Sequence, residues 1–467
     1  MKINKLINTD YKTRIKSIKT NSQAIKKGDI FVCALGNIDK TKYIQEAINN
    51  KTSFIISNKP FYYDIPHYIT NNPNKLLKEI LDKYYHYPLT KINLVGITGT
   101  DGKTKTTTIL KDMTNSSCLG TNGFIINNHV YSLNNTTPSL DIIYNCLNKS
   151  IKKKKKDVFM EVSSEAYLTK RIPYLHFNIG VFTNITKEHL DKHKTFKNYF
   201  NCKMQLLKNS SLVIINHDSK YFNKIKRVNT HYQTYGFKKS DITIKKYQLF
   251  MDHTVISFIY KNNIYQIDSP LIGIYNIYNL MAAILVLLNL NYPMPVILKS
   301  IKNIKPIIGR NEIIYQKEFT IMLDHAHTIN ATLNILKFIN KFKKGRIITI
   351  VGCAGSRYQK KRKIIGKIVN KYSDICLYTS DDPREEKVSK IIKEMLSFYK
   401  KKKEYYIIEK REEAIEKALS IVQKDDIILV LGRGRDNIMH VQNKDIIYSD
   451  YDTIISKLKA LNYLHKC

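Results

Sequence analysis

Short apolar runs, separated by polar or amphipathic stretches, recur along the whole chain. The clearest are DIFVCAL, SFIIS, INLVGIT, DVFMEV, NIGVFTN, SLVIIN, RIITIVG, DICLYTS and DIILVLG. Helix-like stretches such as KVSKIIKEMLSFYK and REEAIEKALSIVQ lie between some of these runs. Continuous apolar runs of about four to eight residues between helices are typical of parallel strands buried on both faces. The pattern therefore predicts an α/β fold with mainly parallel sheets.

The pattern of apolar runs and helical stretches changes twice along the chain, which predicts three domains. A length of 467 residues suits two to four domains, each able to bury a core. We predict a small α/β domain over residues 1–88, a central domain over 89–308 and a Rossmann-like domain over 309–467. The central domain opens with the buried-looking strand Ile92–Thr98. No internal repeat and no long Pro/Gly/Ser-rich linker marks the boundaries.

Composition excludes some classes of protein and leaves the strong positive charge to be explained. A hydrophobic share of 43% and a charged share of 25% argue against disorder and against a fibrous protein. The 77 Lys+Arg against 39 Asp+Glu give a net charge of +38, which is typical of nucleic-acid binding. Lysine is nevertheless spread along the chain with abundant Asn, Ile and Tyr, as in the product of an A/T-rich gene. We predict a solvated loop at Lys152–Lys156 and no stable nucleic-acid partner, although a basic surface would attract nucleotides.

The chain shows no sign of membrane insertion or export. No apolar run approaches the ~20 residues that a transmembrane helix requires. The stretch MKINKLINTDYKTRIKS has no apolar core behind its charges, so no secretory signal is visible. Seven scattered cysteines without CxxC spacing indicate reduced thiols, not a disulfide framework or a zinc site. We therefore expect a cytoplasmic protein without a membrane partner.

The segment Gly99–Thr104, GTDGKT, is the strongest local motif. It follows the predicted strand directly and precedes a helix that we expect to begin near Lys105. Two glycines let the backbone turn so that its N–H groups, together with a helix N-terminus, can bind phosphate oxygens. Lys103 would reach the outer phosphates and Thr104 would bind Mg²⁺. The alternative is a purely structural strand–turn–helix junction, but the motif favours a nucleoside triphosphate.

Further polar clusters follow the next predicted strands, where ligands bind in open α/β sheets. They are NTTP at 135–138, MEVSSEA at 160–166, FTNITKEHLDKH at 182–193 and NYFNCKMQLL at 198–207. Each alone could be a turn or a surface segment. Their order after a phosphate loop is harder to attribute to chance, and the sequence predicts that they share one site.

In this order the motifs resemble those of the Mur ligase family, in its UDP-N-acetylmuramoyl-tripeptide synthetase branch. GTDGKT resembles the family loop GTNGKT, and the likeness continues through GRNE, DHAHT, GCAGSR, SDDPR and GRGRD. The resemblance is most specific over residues 96–436. It is weaker in the first 88 residues, where Asn21-Ser22-Gln23 stands in place of the usual Asp-Ser-Arg. It implies a uridine-binding N-terminal domain, a central ATP-binding domain and a C-terminal domain that binds an amino acid.

The resemblance also implies a reaction in peptidoglycan precursor synthesis. ATP would phosphorylate a carboxylate of UDP-N-acetylmuramoyl-L-Ala-D-Glu (UDP-MurNAc-L-Ala-D-Glu), and the amine of a diamino acid would displace the phosphate. Cations and N–H donors should dominate such catalysis, because negative charge accumulates in the transition states. ATP and Mg²⁺ are the expected cofactors, and a monomer is expected.

The resemblance also implies roles for individual residues of this chain, at the positions that match the family motifs. The catalytic set would be Lys103 at the γ-phosphate, Glu161 with Thr104 at one Mg²⁺, His189 at a second Mg²⁺, and Lys203 as a carbamylated lysine. The ATP-binding set would be Gly99, Thr100, Asp101, Gly102, Lys103, Thr104, Thr106, Asn279, Arg310 and Asp324. The precursor-binding set would be Ser22 at the uridine, with Thr136, Thr137, Ser163 and Arg171. The amino-acid set would be Arg357, Asp382, Arg384, Gly432 and Asp436.

Departures from the family pattern leave the third amino acid open. Arg384 in SDDPR has the planar fork that suits a second carboxylate, which favours meso-diaminopimelate over lysine. Arg435-Asp436 stands where His-Glu is usual, and the shorter acid keeps lysine or ornithine possible. The remaining departures are Lys105 for Thr, Ser356 for Asp and Thr41 for His.

Two further classes of function compete with this interpretation. One is a divergent ligase that joins an amino acid to another carboxylate acceptor, for example by polymerising glutamate, although the uridine-type N-terminal domain argues against it. The other is a phosphate-loop NTPase stimulated by nucleic acid, which the charge of +38 motivates.

Overall fold

A computed structural model of the protein describes residues 1–36, 38–397, 404–442 and 444–464. Its strands form sheets of four, eleven and six strands, in that order along the chain, and one two-stranded hairpin. Helices pack around each of the three larger sheets, so the predicted α/β class is confirmed. None of the helices within the described residues is long and apolar enough to cross a membrane.

The first sheet is small and entirely parallel. Its strands, in spatial order, are β1 (Ile18–Lys19), β2 (Ile30–Val32), β3 (Phe54–Ser57) and β4 (His67–Ile69). Its helices are α1 (Ile44–Asn49) and α2 (Pro73–Tyr84), with 3₁₀ turns at Ile3–Lys5, Ser22–Ala24, Lys40–Tyr43 and Pro88–Thr90. The strands β2 and β3 are buried along their whole length, as their uninterrupted apolar runs predict.

The central sheet is parallel in its middle and antiparallel at both edges. Its strands are β5 (Asn93–Thr98), β6 (Ser117–Gly120), β7 (Gly123–Ile126), β8 (His129–Tyr131), β9 (Asp157–Glu161), β10 (Phe177–Phe182), β11 (Ser210–Asn216), β12 (Tyr232–Gly236), β13 (Ile242–Leu249), β14 (Thr254–Tyr260) and β15 (Asn263–Ser269). Their spatial order is β15-β14-β13-β12-β11-β10-β5-β9-β6-β7-β8. The strand β5 therefore lies between β9 and β10, and all three run in the same direction.

Helices of the central region cover this sheet and support the loop after β5. They are α3 (Lys103–Thr114), α4 (Leu140–Lys152), α5 (Ser164–Leu168), α6 (Leu190–His193), α7 (Phe196–Lys208), α8 (Phe222–Ile225), α9 (Ile274–Asn289) and α10 (Met294–Ser300), with a 3₁₀ turn at Ile301–Asn303. The helix α9 is apolar almost all round and shares one hydrophobic core with Ile109 and Leu110 of α3. A helix of this kind belongs in the interior, and here it holds α3 against the sheet.

The third sheet has helices on both faces. Its strands are β16 (Glu312–Gln316), β17 (Thr320–Asp324), β18 (Ile347–Val351), β19 (Ile375–Tyr378), β20 (Glu404–Ile407) and β21 (Ile427–Leu431), in the order β16-β17-β21-β18-β19-β20. Only β16 is antiparallel to its neighbour. The helices are α11 (Ile329–Ile339), α12 (Lys361–Tyr372), α13 (Val388–Leu396), α14 (Arg411–Ile421) and α15 (Asp450–Ala460). The separate hairpin consists of β22 (Ile438–Val441) and β23 (Lys444–Ile447).

Each of the nine apolar runs coincides with a strand to within a few residues at each end, and both helix-like stretches contain a helix. Residues 398–400 of the first of these stretches lie outside the described residues. The loop predicted at Lys152–Lys156 begins at Lys153, because Lys152 is the last residue of α4. The six described cysteines form no disulfide, and Cys467 lies outside the described residues. The antiparallel edge β13–β15 was not predicted, because its strands are partly exposed and lack uninterrupted apolar runs.

Candidate active site

The carboxyl ends of three adjacent strands bring the first polar clusters together. In the sheet register Thr98 of β5 pairs with Phe182 of β10, and Ile97 pairs with Glu161 of β9. A cleft of about 1060 Å³ lies at this edge. Its walls come from the central region and also from the third sheet, which contributes Arg310 and Asp324. Residues from both predicted halves of a nucleotide site therefore face one open space.

The loop after β5 has a shape that a side chain at Gly102 would disrupt. Gly102 has φ +87° and precedes α3, and a Cβ there would come within 2.5 Å of Asn279 Oδ1. Asn184 fixes the loop from the neighbouring strand: its carbonyl accepts from Thr100 N at 2.9 Å and its Oδ1 accepts from Asp101 N at 2.9 Å. The N-terminus of α3 lies at the cleft, with Gly102, Lys103 and Thr104 among the lining residues. This is the geometry that binds phosphate through backbone N–H groups and the helix dipole.

Two lysine amines share one carbonyl of this loop. Lys103 Nζ donates to the oxygens of Gly99 and Thr100 at 2.9 and 3.0 Å. Lys203, from α7, is buried and donates to the same Gly99 oxygen at 2.7 Å. Burial lowers the pKa of both amines. The charge of Lys103 lowers the pKa of Lys203 further, so this amine is held well below its usual range.

Glu161 is buried beside the loop and bonded on both carboxylate oxygens. Thr104 Oγ1 donates to Oε2 at 2.8 Å and Thr121 N donates to Oε1 at 2.9 Å. A hydroxyl and a carboxylate are the hard oxygen donors that Mg²⁺ prefers. Within the described ranges, no group of three or more His, Cys, Asp or Glu is placed to hold a metal ion. An ion at Thr104 and Glu161 would therefore need phosphate and water as its other ligands, as Mg²⁺ in nucleotide sites commonly has.

His189 lines a cavity that Lys103 also lines. It occupies the left-handed region, with φ +57°, directly before α6, and its ring centroid is 5.8 Å from that of Tyr199. It lines a small cavity of about 50 Å³ together with Lys103 and Lys203. The side chain retains solvent access, yet the surrounding protein and then the charges of Lys203 and Lys103 hold the pKa of His189 far below its usual range. A lowered pKa favours the neutral imidazole, the form that can bind a metal ion through a ring nitrogen.

The predicted precursor residues of the central region form one network at the end of β9. Thr137 Oγ1 donates to the carbonyl of Glu161 at 2.9 Å and accepts from Ser163 N at 2.9 Å. Arg171 Nη1 donates to the Thr137 carbonyl at 2.8 Å. Thr136, Ser163 and Arg171 line the cleft, whereas Thr137 is fully buried and supports them.

Ser22 is the one predicted precursor residue outside this network. It is buried in the first sheet's region, where its hydroxyl donates to Glu46 Oε2 at 2.5 Å. Thr41, the departure noted near the predicted uridine site, donates to Asp39 Oδ1 at 2.6 Å. Both hydroxyls are thus engaged by neighbouring carboxylates.

The remaining nucleotide residues come from α9 and from the third sheet. Asn279 lies below the loop, with its Oδ1 3.4 Å from the hydroxyl of the buried Thr106. Asp324 ends β17 and accepts from Asn311 N at 2.6 Å. Arg310, next in the chain to Asn311, lines the same cleft. The structure thus gathers the phosphate loop, Asn279, Arg310 and Asp324 around one space.

The five predicted amino-acid residues lie on loops of the third region and do not line this cleft. Arg384 Nη2 is 3.0 Å from Asp382 Oδ2. Arg357 Nη1 is 3.4 Å from Asp191 Oδ2. Asp436 Oδ2 is 3.2 Å from His325 Nε2. A Cβ on Gly432, which has φ +112°, would come within 2.4 Å of an oxygen of Asp381.

Several site residues were missed by the sequence analysis. Asn184 and Thr328 bind the phosphate loop, and Glu188 pairs with Lys361 across the two regions at 3.3 Å. Burial raises the pKa of Glu188 to about 6. Glu188 and Asn184 belong to the recognised cluster FTNITKEHLDKH, so their chemistry was visible. The partner of Glu188 was not visible, because Lys361 lies 173 positions from Glu188 along the chain.

Comparison with known proteins agrees with this geometry. Residues 97–287 match the model of the Mur ligase middle domain, and residues 309–434 match the Mur ligase, glutamate ligase domain. A Clostridium tetani protein named UDP-N-acetylmuramoyl-L-alanyl-D-glutamate--2,6-diaminopimelate ligase is 33% identical, over 98% of this chain and 97% of its own.

Solved structures show the same fold. A structure named for the same diaminopimelate ligase has a TM-score of 0.69 at 20% identity, covering 99% of this chain and 100% of its own. The MurF ligase of Thermotoga maritima, in complex with ADP, has a TM-score of 0.66 at 17% identity, covering 96% and 97%. The phosphate loop faces a second α/β region across one cleft, and the Clostridium tetani relative matches the chain over nearly its full length. The chain therefore belongs to the Mur ligase family.

Proposed function

We propose that the protein is an ATP-dependent ligase that joins a diamino acid, diaminopimelate, to UDP-MurNAc-L-Ala-D-Glu. The observation that carries the proposal is the shared cleft, in which the phosphate loop with Lys103 faces Arg310 and Asp324. Lys203 donates to the Gly99 carbonyl of the same loop and lines the small adjoining cavity with Lys103. Relatives that carry this activity in their name match the chain over nearly its full length. Four functional sets predicted from the sequence then receive one role each in the reaction.

The first step activates a carboxylate. A carboxylate oxygen of the precursor attacks the γ-phosphorus of ATP, the bond to ADP breaks, and an acyl phosphate forms. Lys103 would neutralise charge on the transferred phosphoryl group, and the N–H groups at the start of α3 would bind the phosphates. Asn279, Arg310 and Asp324 would bind the rest of ATP, so the nucleotide would be enclosed between the two regions.

Magnesium fits the oxygen donors beside the loop. Thr104 and Glu161, which are already within 2.8 Å of each other, would hold one ion, and His189 would hold a second. When bound, Mg²⁺ would neutralise phosphate charge during the transfer.

Lys203 fits the carbamate hypothesis. Carbon dioxide adds only to a neutral amine, and burial with a neighbouring cation holds the pKa of Lys203 well below its usual range. Addition would form an N–C bond, release one proton and convert the side chain to an anion. That anion would lie beside Lys103, whose positive charge would stabilise it.

The second step forms the amide. The neutral amine of the diamino acid attacks the acyl carbon, phosphate leaves with the former carboxylate oxygen, and the nitrogen loses a proton. Arg384 would bind the carboxylate at the far end of diaminopimelate, with Arg357, Asp382, Gly432 and Asp436 around the amino acid. Ser22 would contact the uridine end of the precursor, with Thr136, Thr137, Ser163 and Arg171 nearer the reacting carboxylate.

The proposal also covers the domain boundaries, the cellular location and the oligomeric state. We place the domain boundaries at residues 1–88, 89–308 and 309–467, which agrees with the separation of the three sheets along the chain. We also propose a cytoplasmic monomer without a nucleic-acid partner, since its nucleotide-linked precursor and ATP are both cytoplasmic compounds.

A panel of amino acids tests the function. Purified protein is incubated with ATP, Mg²⁺ and UDP-MurNAc-L-Ala-D-Glu, and each of meso-diaminopimelate, lysine, ornithine and glutamate is supplied in turn. We expect phosphate release and a product whose mass equals precursor plus diaminopimelate minus water. Product with glutamate alone would show that the incoming amino acid is glutamate and would contradict the assignment of a diamino acid. Phosphate release that requires DNA or RNA would contradict the proposal.

A further inference from the structure

Lys105 is a charged residue at the nucleotide site to which the proposed reaction assigns no role. It is the third residue of α3, where the family pattern usually has Thr. Its amine donates to Asn311 Oδ1 at 2.9 Å and lies 4.5 Å from the centroid of the Tyr275 ring. A threonine hydroxyl is two bonds from its Cα and a lysine amine is five. A threonine at this position would end well short of the contact.

The amide of Asn311 is held from both sides. A lysine amine can only donate, so Oδ1 must face Lys105, and the amide nitrogen then donates to the hydroxyl of Tyr275. The backbone N–H of Asn311 donates to Asp324 Oδ2 at 2.6 Å. Lys105 is therefore attached to the short segment that carries Arg310 and leads into β16.

A second contact joins the same loop to the third region. The carboxylate of Asp101 accepts from Thr328 Oγ1 at 3.1 Å, and that hydroxyl accepts from Ala331 N at 3.1 Å as the N-cap of α11. Asp101 and Lys105 flank Gly102-Lys103-Thr104 in the chain. Two side chains on either side of the phosphate-binding turn thus hold the third region against it.

We propose that Lys105 is a positioning residue: by binding Asn311, it holds the third region in the orientation in which Arg310 and Asp324 face the phosphate loop. The inference rests on the proposed function, since it takes this cleft as the ATP site. A nucleotide that binds between two bodies binds best when they are already together. Its apparent Kd rises in inverse proportion to the populated fraction of that state. Lys105 would therefore tighten ATP binding without acting on the reacting atoms.

The test compares matched variants by equilibrium binding of a non-hydrolysable ATP analogue. Lys105→Met keeps an unbranched side chain, one atom shorter than lysine, and removes the charge and the donor. We expect its Kd to rise about 10-fold, as loss of a hydrogen bond to a charged group commonly does. Lys105→Arg should recover most of the affinity. Lys111→Met is the control: it lies on the same helix, pairs with its neighbour Asp112, and should leave the Kd unchanged.

A double-mutant cycle identifies the partner. Asn311→Ala should raise the Kd as much as Lys105→Met, and the double variant should be no weaker than either single variant, because both remove one interaction. If the two effects multiply instead, Lys105 acts on the nucleotide directly and the proposal is overturned.

Small-angle X-ray scattering supplies a readout that does not depend on affinity. Nucleotide-free Lys105→Met should have a larger radius of gyration than the wild type, and the analogue should restore the wild-type value. An unchanged radius would overturn the proposal. Neither measurement requires turnover, so an inactive wild type would contradict the proposed reaction and leave the positioning role to be judged separately.

Discussion

The phosphate side and the proposed amino-acid side of the molecule are built differently. On the phosphate side, short loops follow the adjacent parallel strands β5, β9 and β10, and their polar groups bond to neighbouring backbone. On the amino-acid side, loops of the third region bring charged side chains together in pairs, such as Arg384 with Asp382 and Asp436 with His325. The first side is determined by backbone geometry and the second by the reach of long side chains.

One departure from the family pattern on the second side has a visible compensating contact. Arg435, which stands in place of the usual His, forms a bidentate ion pair with Glu312. Its Cζ atom lies 3.2 Å from the centroid of the Tyr451 ring. Side-chain pairs can exchange partners while the strands stay in place.

The largest effect is expected on the phosphate side. Lys203→Ala should lower kcat by at least about 1000-fold, because it removes the proposed carbamate, the anion that would lie beside Lys103 in the catalytic site. A small carboxylic acid such as acetate should restore part of the activity if a carbamate is the active form. Lys208→Ala, at the exposed end of the same helix, is the control and should retain full activity. Activity retained in Lys203→Ala would remove the residue from the mechanism.

On the amino-acid side, Arg384→Ala should act on one substrate. We expect the KM for diaminopimelate to rise about 100-fold, since hydrogen bonds between charged groups contribute about 1.5–3 kcal/mol each. The KM for ATP should stay within about twofold. Arg384→Lys should recover little, because a point charge lacks the planar fork. Equal changes in the KM for diaminopimelate and the KM for ATP would contradict a role of Arg384 in binding diaminopimelate alone.

A smaller change tests the reach of the acidic residue at position 436. Asp436→Glu restores the usual chain length, and we expect kcat/KM for diaminopimelate to rise about fivefold, the scale of one methylene in a pocket. Competition between diaminopimelate and lysine, followed by mass analysis of the products, measures the ratio. A shift of that ratio toward lysine would mean that the shorter acid already suits diaminopimelate.

The smallest effect concerns the loops that carry the amino-acid residues. Glu386 accepts from both terminal nitrogens of Arg362 and from Ser356 N, and the hydrogen bonds from Arg362 lower the pKa of Glu386 to about 2. A carboxylate with a depressed pKa stabilises the fold above its unfolded pKa, and this stability is lost as pH falls toward 2. Glu386→Gln should therefore lower Tm by about 2–4 °C at pH 7.

The pH dependence provides the check on this last prediction. The difference in Tm between wild type and Glu386→Gln should narrow as the pH is taken below 4.5, since the wild-type carboxylate is then protonated more readily in the unfolded chain. A difference that does not change with pH would assign the effect to packing and not to charge.

The same contrast shows what could be predicted from sequence. Apolar runs such as Ile92–Thr98 became buried parallel strands, and the contiguous motif Gly99–Thr104 became the turn between β5 and α3. The helix begins two residues earlier than expected, at Lys103, so Lys103 and Thr104 belong to its first turn. On the proposed amino-acid side, Arg357 and Asp436 were predicted as site residues, but their ion-pair partners Asp191 and His325 were not predicted. Such pairs join distant parts of the chain, and no local pattern encodes them.

An isotope experiment tests the central claim, activation of a precursor carboxylate by ATP, most directly. UDP-MurNAc-L-Ala-D-Glu is prepared with ¹⁸O in the carboxylates of its glutamate and converted with ATP and diaminopimelate. If an acyl phosphate forms, the released inorganic phosphate must contain one ¹⁸O atom, because the amine displaces phosphate at the acyl carbon. Amide product accompanied by unlabelled phosphate would contradict the account.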